Sequence, residues 1–324
     1  MNCSFVRSPR SSPFRGRGMR LVLAAIFAGL ARAADLAPAV PVAPVAPPPN
    51  RAWVQALFAA LKAPVPPRHL VGNLYYVGAI GVSSFLITTR QGHILLDTGF
   101  EDTVPIIQRD VEQLGFKLSD IKLLLSSHAH IDHTGGHALM QRLTAARVVA
   151  SAGDARLLES GGVDDFLSWP KDTLVYPRVK VDRIVADGGR VTLGGVTLTA
   201  HLTPGHTRGA TTWTMDVTEA GRTLHVVFFS SVTVNPGTRL LHNAAYPEIV
   251  ADYETTFARL KALPCDIFFA PHGSQFGMTE KFAQLDRGGQ PNPLIDPAGW
   301  QALLASTEKA FRAQLARELA ADGK

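Results

Sequence analysis

Four side chains able to hold a metal ion fall within six consecutive positions: His128, His130, Asp132 and His133, in the segment Ser127-His128-Ala129-His130-Ile131-Asp132-His133-Thr134-Gly135-Gly136. The segment follows an apolar run, Leu123-Leu124-Leu125, and ends in a Gly-rich turn. A strand end feeding such a turn lets side chains converge on one point. Imidazole and carboxylate are the donors that a borderline divalent ion such as Zn²⁺ accepts. His128 and His130 alternate with Ala129 and so can point the same way, while Asp132 and His133 sit next in the turn and can reach a second ion. A lone histidine here would read as solvated or as part of the core. Clustering four polar groups at an apolar strand end without a partner is costly, which favours the metal reading.

Two further histidines share this setting. His206 lies in Thr203-Pro204-Gly205-His206-Thr207, after the β-rich run Val196–Leu202, and His272 lies in Ala270-Pro271-His272-Gly273, after Ile267–Ala270. Pro or Gly beside each fixes a sharp turn. His69, His93, His137, His201, His225 and His242 lack this context and read as structural or solvated.

The elements that must position these residues follow from hydrophobic period and turn chemistry. Short strands are predicted at Asn73–Val77, Ser84–Thr88, His93–Leu96, Ile121–Leu125 and Arg147–Ala150. A second strand-rich half covers Arg183–Val185, Arg190–Leu193, Val196–Leu202, Ala210–Val217, His225–Phe229 and Ile267–Ala270. Helices are predicted at Trp53–Leu61, Val104–Leu114, Gly136–Leu143, Tyr246–Leu263 and Trp300–Leu319. Two successive strand-and-helix halves imply packed sheets with helices outside. The stretch Ser160–Pro177 reads as a long loop, in which Phe166 and Trp169 serve either as a cover for substrate or as loop anchors.

The chain has 324 residues, enough for a sizeable core, and a formal net charge of +5. Residues 1–33 carry six arginines and no acid; without them 26 of the 32 basic residues face 27 acidic ones, a net of −1. The basicity therefore belongs to the leader, and no bulk attraction to nucleic acid is expected of the rest. The leader has a basic stretch ending at Arg20, an 11-residue apolar run Leu21–Ala31 and an Ala31-Arg32-Ala33 cleavage pattern. It reads as a secretory signal peptide, 1–33, with Met19 an alternative start. An uncleaved anchor is the rival reading, against which the shortness of the run argues. Residues 34–50 read as a Pro/Ala-rich disordered tether and 51–324 as one domain. Cys3 falls in the leader, so Cys265 stands alone and no intramolecular disulfide is expected.

His128-Ala129-His130-Ile131-Asp132-His133, the Thr-Pro-Gly-His-Thr turn and the late Pro-His-Gly resemble the metallo-β-lactamase superfamily from about Leu70 to the C-terminus. The resemblance implies an α/β fold, an αββα sandwich, with one zinc on His128, His130 and His206 and a second on Asp132, His133 and His272. It also assigns Asp97, in Leu96-Asp97-Thr98-Gly99, as a carboxylate behind the ligands that orients the metal-binding turn. Glyoxalase-II-like and lactonase-like members carry a bridging aspartate where this chain has Val226-Val227-Phe228-Phe229-Ser230-Ser231-Val232, which holds no acid. That pattern is similar to subclass B3 of the metallo-β-lactamases; the other subclasses place a cysteine there. Ala262-Leu263-Pro264-Cys265-Asp266 resembles the same subclass, although the later cysteine with which some members pair it is absent, and Val234–Thr238 departs from the pattern.

The implied function is a periplasmic, monomeric β-lactamase with two Zn²⁺. It would open penicillins, cephalosporins and carbapenems by attack of a zinc-bound hydroxide, and so confer antibiotic resistance. Asp132 would orient the hydroxide. Ser231 and Thr233 share a strand face by their period of two and are implied to contact the substrate carboxylate, their alternative being plain strand residues. The rivals are a lactonase or other hydrolase of this fold, separable by turnover of a carbapenem against an acyl-homoserine lactone, and a secreted zinc-binding protein without catalysis. His130→Ala is expected nearly to abolish hydrolysis and to weaken zinc binding; near-normal turnover of that variant would refute the ligand assignment.

Overall fold

The computed structural model describes residues 47–289 and 291–323; the predicted leader and most of the tether lie outside them. The last tether residues, 47–50, are described: Pro48 packs on Gly237, and the Asn50 side chain accepts from Trp53 N to cap α1 (Arg51–Leu61). Asparagine is a favoured residue at that capping position.

The first half of the chain builds a seven-stranded sheet in simple order, β1 (Arg68–Val71), β2 (Leu74–Tyr76), β3 (Phe85–Thr89), β4 (Gly92–Leu96), β5 (Ile121–Leu125), β6 (Arg147–Ser151) and β7 (Arg183–Val185). β1 to β4 are antiparallel neighbours, and β4 to β7 run parallel. The parallel crossovers carry α2 (Val104–Gln113), a short turn of helix α3 (Ile131–Thr134) with α4 (His137–Thr144), and α5 (Ala152–Ser160). The second half builds a five-stranded sheet in the order β12-β11-β10-β9-β8, from β8 (Arg190–Leu193), β9 (Val196–Leu202), β10 (Thr211–Glu219), β11 (Arg222–Phe228) and β12 (Ile267–Phe269). α6 (Ile249–Ala262), α7 (Met278–Asp286) and α8 (Pro297–Asp322) complete the chain.

Period-two alternation makes the layers. On β3, β4 and β5, Leu86, Leu95 and Leu124 face Val104, Ile107 and Met140 of the covering helices. Their neighbours Phe85, Ile94 and Leu123 face the other sheet. The Phe85 ring lies 5.4 Å from Phe228 and 5.0 Å from Phe269, so the two sheets meet through aromatic contacts. Beyond the second sheet, Tyr253 and Phe257 of α6 pack on Phe311 of α8, and Trp300 packs on Phe229 and Phe268. The result is the expected four-layer αββα sandwich. β4 and β5 are buried on both faces, as parallel strands covered by helices must be. Among the described residues no helix is long and apolar enough to cross a membrane.

The strand directions decide where chemistry can gather. β4 and β5 are parallel, and β11 and β12 are parallel; β9 is antiparallel to β10, which is antiparallel to β11, so β9 runs with β11. Their C-terminal ends lead into Asp97, Ser127–His133, Thr203–His206, Ser230–Thr233 and Pro271–His272. The two sheets are tied there: Thr211 N donates to Ser127 O at 2.8 Å, and the buried Trp213 donates its indole N–H to Ser126 O at 2.9 Å. Trp213→Phe keeps the packing but removes that donor, so urea unfolding is expected to show a loss of about 1–3 kcal/mol.

Candidate metal centre

The six anticipated ligands converge. One ligand atom each from His128, His130 and His206 lies within 4.8 Å of the others, and the same holds for His128, Asp132 and His133. His133 Nε2 is 3.3 Å and His272 Nε2 3.7 Å from Asp132 Oδ2. Neighbouring imidazoles pack ring to ring, with centroids 4.3 Å apart for His128 and His133 and 4.8 Å for His133 and His272. The two triads therefore form one cluster that shares His128 as a wall. The six other described histidines stay outside it, and of these His137 is fully buried with Nδ1 at 2.8 Å from Thr98 Oγ1.

Local backbone chemistry sets each ligand. Asp97, after β4, takes a positive φ of 60°, a conformation Asp tolerates better than most residues. This turns its carboxylate onto the next strand end. Oδ1 accepts from Ser127 N and Oδ2 from Ser127 Oγ, both at 2.7 Å, while Oδ2 lies 3.6 Å from His133 Nδ1. Gly205, with φ 131°, brings its backbone against the Tyr253 ring; a Cβ there would meet the ring at 2.9 Å, so only glycine lets His206 turn into the cleft.

The outer ring nitrogens are held too. Ser127 Oγ lies 3.2 Å from His128 Nδ1, Thr233 O 2.7 Å from His206 Nδ1, and Gly81 O 2.8 Å from His272 Nδ1. A partner on Nδ1 leaves Nε2 to face the cleft, as metal-binding histidines require.

Electrostatics agree. Burial lowers the pKa of His128 well below its usual value, of His130 to about 4 and of His206 to about 3, and it lowers that of His272; the neighbouring imidazoles push the same way. These rings stay neutral and keep a lone pair to donate. Burial pushes Asp132 up, but His133, His272 and His130 outweigh it and hold the carboxyl below its usual range. Burial pushes His133 down, and Asp132 and Asp97 outweigh it, so its pKa is raised. Asp97 is raised to about 6 by burial, opposed by His133 and Ser127. Both ring nitrogens of the fully buried His133 lack a hydrogen-bond partner, which a buried polar group does not tolerate cheaply. Neutral imidazoles, a carboxylate and orphaned buried nitrogens fit a divalent cation.

The strand-end serines are turned away from the ligands. Ser230 Oγ joins a hydroxyl network with Thr203 and Thr212, at 2.8 and 3.2 Å, and Ser231 Oγ lies 3.0 Å from Thr233 Oγ1. Of this pair, Thr233 lines the cavity over the ligands, a space of about 390 Å³. Trp169 also lines it, with its indole N–H on Pro236 O at 2.9 Å, whereas Phe166 packs on Tyr246 and anchors the loop. Leu57, Phe58 and Leu61 of α1 form an apolar wall opposite, and Asn235 and Ser274 add polar groups. Sequence reasoning missed these contributors and also Asp165, whose buried carboxylate Oδ2 lies 3.5 Å from His130 Nε2.

The family profile described as the metallo-beta-lactamase superfamily matches residues 77–272. The fold superposes on the native FEZ-1 metallo-β-lactamase from Legionella gormanii with a TM-score of 0.76 and 40% identity, covering 79% of this chain and 97% of that one. For BJP-1, a subclass B3 metallo-β-lactamase of Bradyrhizobium japonicum, the values are 0.75 and 43%, covering 81% and 97%. Among curated sequences, a hydroxyacylglutathione hydrolase from Rhodospirillum rubrum is 32% identical over 98 residues, 30% of this chain and 29% of that protein. A lactamase-like protein of Penicillium aethiopicum is 25% identical over 215 residues, 56% of its length. The chain thus spans well under two thirds of these curated relatives.

Metal-stripped protein is expected to take up divalent ion and to gain about 2.7 kcal/mol of stability per occupied site at a free concentration a hundred times that site's Kd. Affinity falls as pH drops from 8 to 6: the raised pKa keeps His133 protonated at the acid end, where a proton must leave before the ring can ligate. Chelator competition across that pH range measures both; no uptake, or pH-independent affinity, would contradict the site.

Proposed function

The chain belongs to the metallo-β-lactamase superfamily, and from that premise we propose that this hydrolase is an exported β-lactamase, resembling subclass B3, that uses two Zn²⁺ to open the rings of penicillins, cephalosporins and carbapenems. The observation that carries the reading is the six-residue cluster lying open to one half-apolar cavity, with hydroxyl and amide groups in place of a bridging acid at the strand end. The volume of about 390 Å³ suits a bicyclic lactam with modest substituents. The leader pattern supports action in the periplasm, where β-lactams meet their targets.

When bound, the metal pair supplies Lewis-acid polarisation of the lactam carbonyl and a water made acidic near neutral pH. The chain's own residues do the rest. Asp132, an anion at working pH that reaches both His133 and His272, accepts a hydrogen bond from the attacking water and orients it. Thr233, Asn235 and Ser274 offer donors to the carboxylate of the substrate, with Ser231 holding Thr233 through its hydroxyl. Leu57, Phe58, Leu61 and Trp169 take the apolar body of the lactam and exclude bulk water. Water adds across the amide C–N bond, leaving a carboxylate and a secondary amine.

Purified mature protein is expected to hydrolyse nitrocefin and imipenem, to lose the activity in a strong chelator and to regain it with zinc. Asp132→Asn should lower kcat by at least about tenfold, a typical scale for losing a positioned proton acceptor. Turnover of an acyl-homoserine lactone with no opening of either β-lactam would select the lactonase reading instead.

A further inference from the structure

We propose that Asp165 is the positioning residue for His130, its carboxylate accepting the Nε2 proton so that Nδ1 is the atom turned to the metal. Three of the histidines have their outer nitrogen held by neutral oxygen, on Ser127, Thr233 and Gly81. His133 and His130 face carboxylates instead, and for His133 that is Asp97, with Oδ2 at 3.6 Å from Nδ1. His130 Nε2 is buried and has no hydrogen-bond partner, and the nearest carboxylate oxygen is Asp165 Oδ2 at 3.5 Å, a gap that a small ring rotation closes.

Asp165 is built for that task. Its side chain is 3% exposed. Leu167 N donates to Oδ1 at 2.9 Å and so occupies the other oxygen, which aims Oδ2 at the imidazole. The Lys171 ammonium donates to the Asp165 carbonyl at 2.5 Å and to Leu167 O at 3.2 Å, bracing the turn. From the far side of the same loop, Tyr176 donates its hydroxyl to Ala129 O, between His128 and His130. The loop that sends Leu167 and Trp169 into the cavity wall therefore also holds one metal ligand, and a shift in that wall is transmitted to the first metal position. The inference rests on the cleft's being a metal centre and not on the identity of the substrate.

The test measures metal, not turnover. Metal-stripped wild type, Asp165→Asn, Asp165→Ala and the control Asp164→Asn compete for Zn²⁺ with a chromophoric chelator. Asp164 is the exposed neighbour in the same loop, paired with Arg156. Asp165→Asn retains an acceptor for Leu167 N and loses the charge, so its tighter site should weaken about tenfold; Asp165→Ala should weaken up to about a hundredfold, and Asp164→Asn not at all. The Co²⁺-loaded Asp165→Asn protein should show shifted ligand-field bands. Should the variants fail to fold, ¹⁵N NMR of the loaded wild type decides: His130 carries its proton on Nε2. Wild-type affinity and spectrum in Asp165→Asn, or a proton on His130 Nδ1, would overturn the assignment. Loaded wild type that binds metal yet opens no β-lactam would instead remove the functional reading and leave this one standing.

Discussion

The structure depends on an arrangement that cannot be satisfied by protein alone. Five imidazoles and one carboxylate meet in a cleft with His128 and His133 almost wholly buried and ring centroids under 5 Å apart. Protonating the rings would crowd like charges in a medium of low effective dielectric, and leaving them neutral strands buried nitrogens without partners. A divalent cation resolves both costs at once, because it takes the lone pairs and supplies the positive charge that Asp132 otherwise draws from His133. The remaining polar groups around the cluster can be understood as making that exchange possible. Asp97, Ser127, Thr233 and Gly81 fix ring orientation from outside, so that little side-chain freedom is left to lose when an ion binds.

Strand direction is what allows such a cluster to exist. Ligands come from three separate loops, and a loop carries buried polar groups only where its backbone is tied down. Ser127 is clamped by Asp97 and by Thr211 N, and Trp213 holds the preceding carbonyl from the opposite sheet. The strand end that leads into Ser230 supplies none of the six clustered side chains. Its first hydroxyl is consumed by Thr203 and Thr212, and its second braces Thr233, which in turn holds His206. A position that supplies an acid elsewhere in the superfamily is thus converted here into support for a histidine.

Much of this was legible in sequence because the ligands are local. Four lie in one segment, and His206 and His272 follow strands whose apolar runs are plain. The layers were legible too, since β4 and β5 are apolar on both faces. Other elements left weaker traces. α5 is not among the helices that the sequence predicts, although Ser151 and Asp154 form a start signal: the Ser151 hydroxyl accepts from Asp154 N. α7 buries only Met278 and Phe282, four positions apart, too faint a stripe to separate from a loop. β1 is four residues long at the sheet edge, with no alternation to read. Asp165 gave no signal at all. Its partner is 35 positions away, and nothing in a run of Gly-Gly-Val-Asp-Asp distinguishes the carboxylate that turns inward from the one that pairs with Arg156.

That last pair shows why outer contacts resist sequence reasoning. Asp164 and Asp165 share composition, neighbours and loop, yet one is exposed in an ion pair and the other is buried beside an imidazole. The difference is set by Leu167 N and Lys171, which fold the chain back over the second residue alone. The exposed pair is worth little in water. The buried carboxylate lies beside an imidazole of the cluster, and the same turn places Leu167 and Trp169 in the cavity wall. The backbone geometry of one loop thus places a carboxylate beside a candidate metal ligand and two apolar side chains in the wall of the cavity above it.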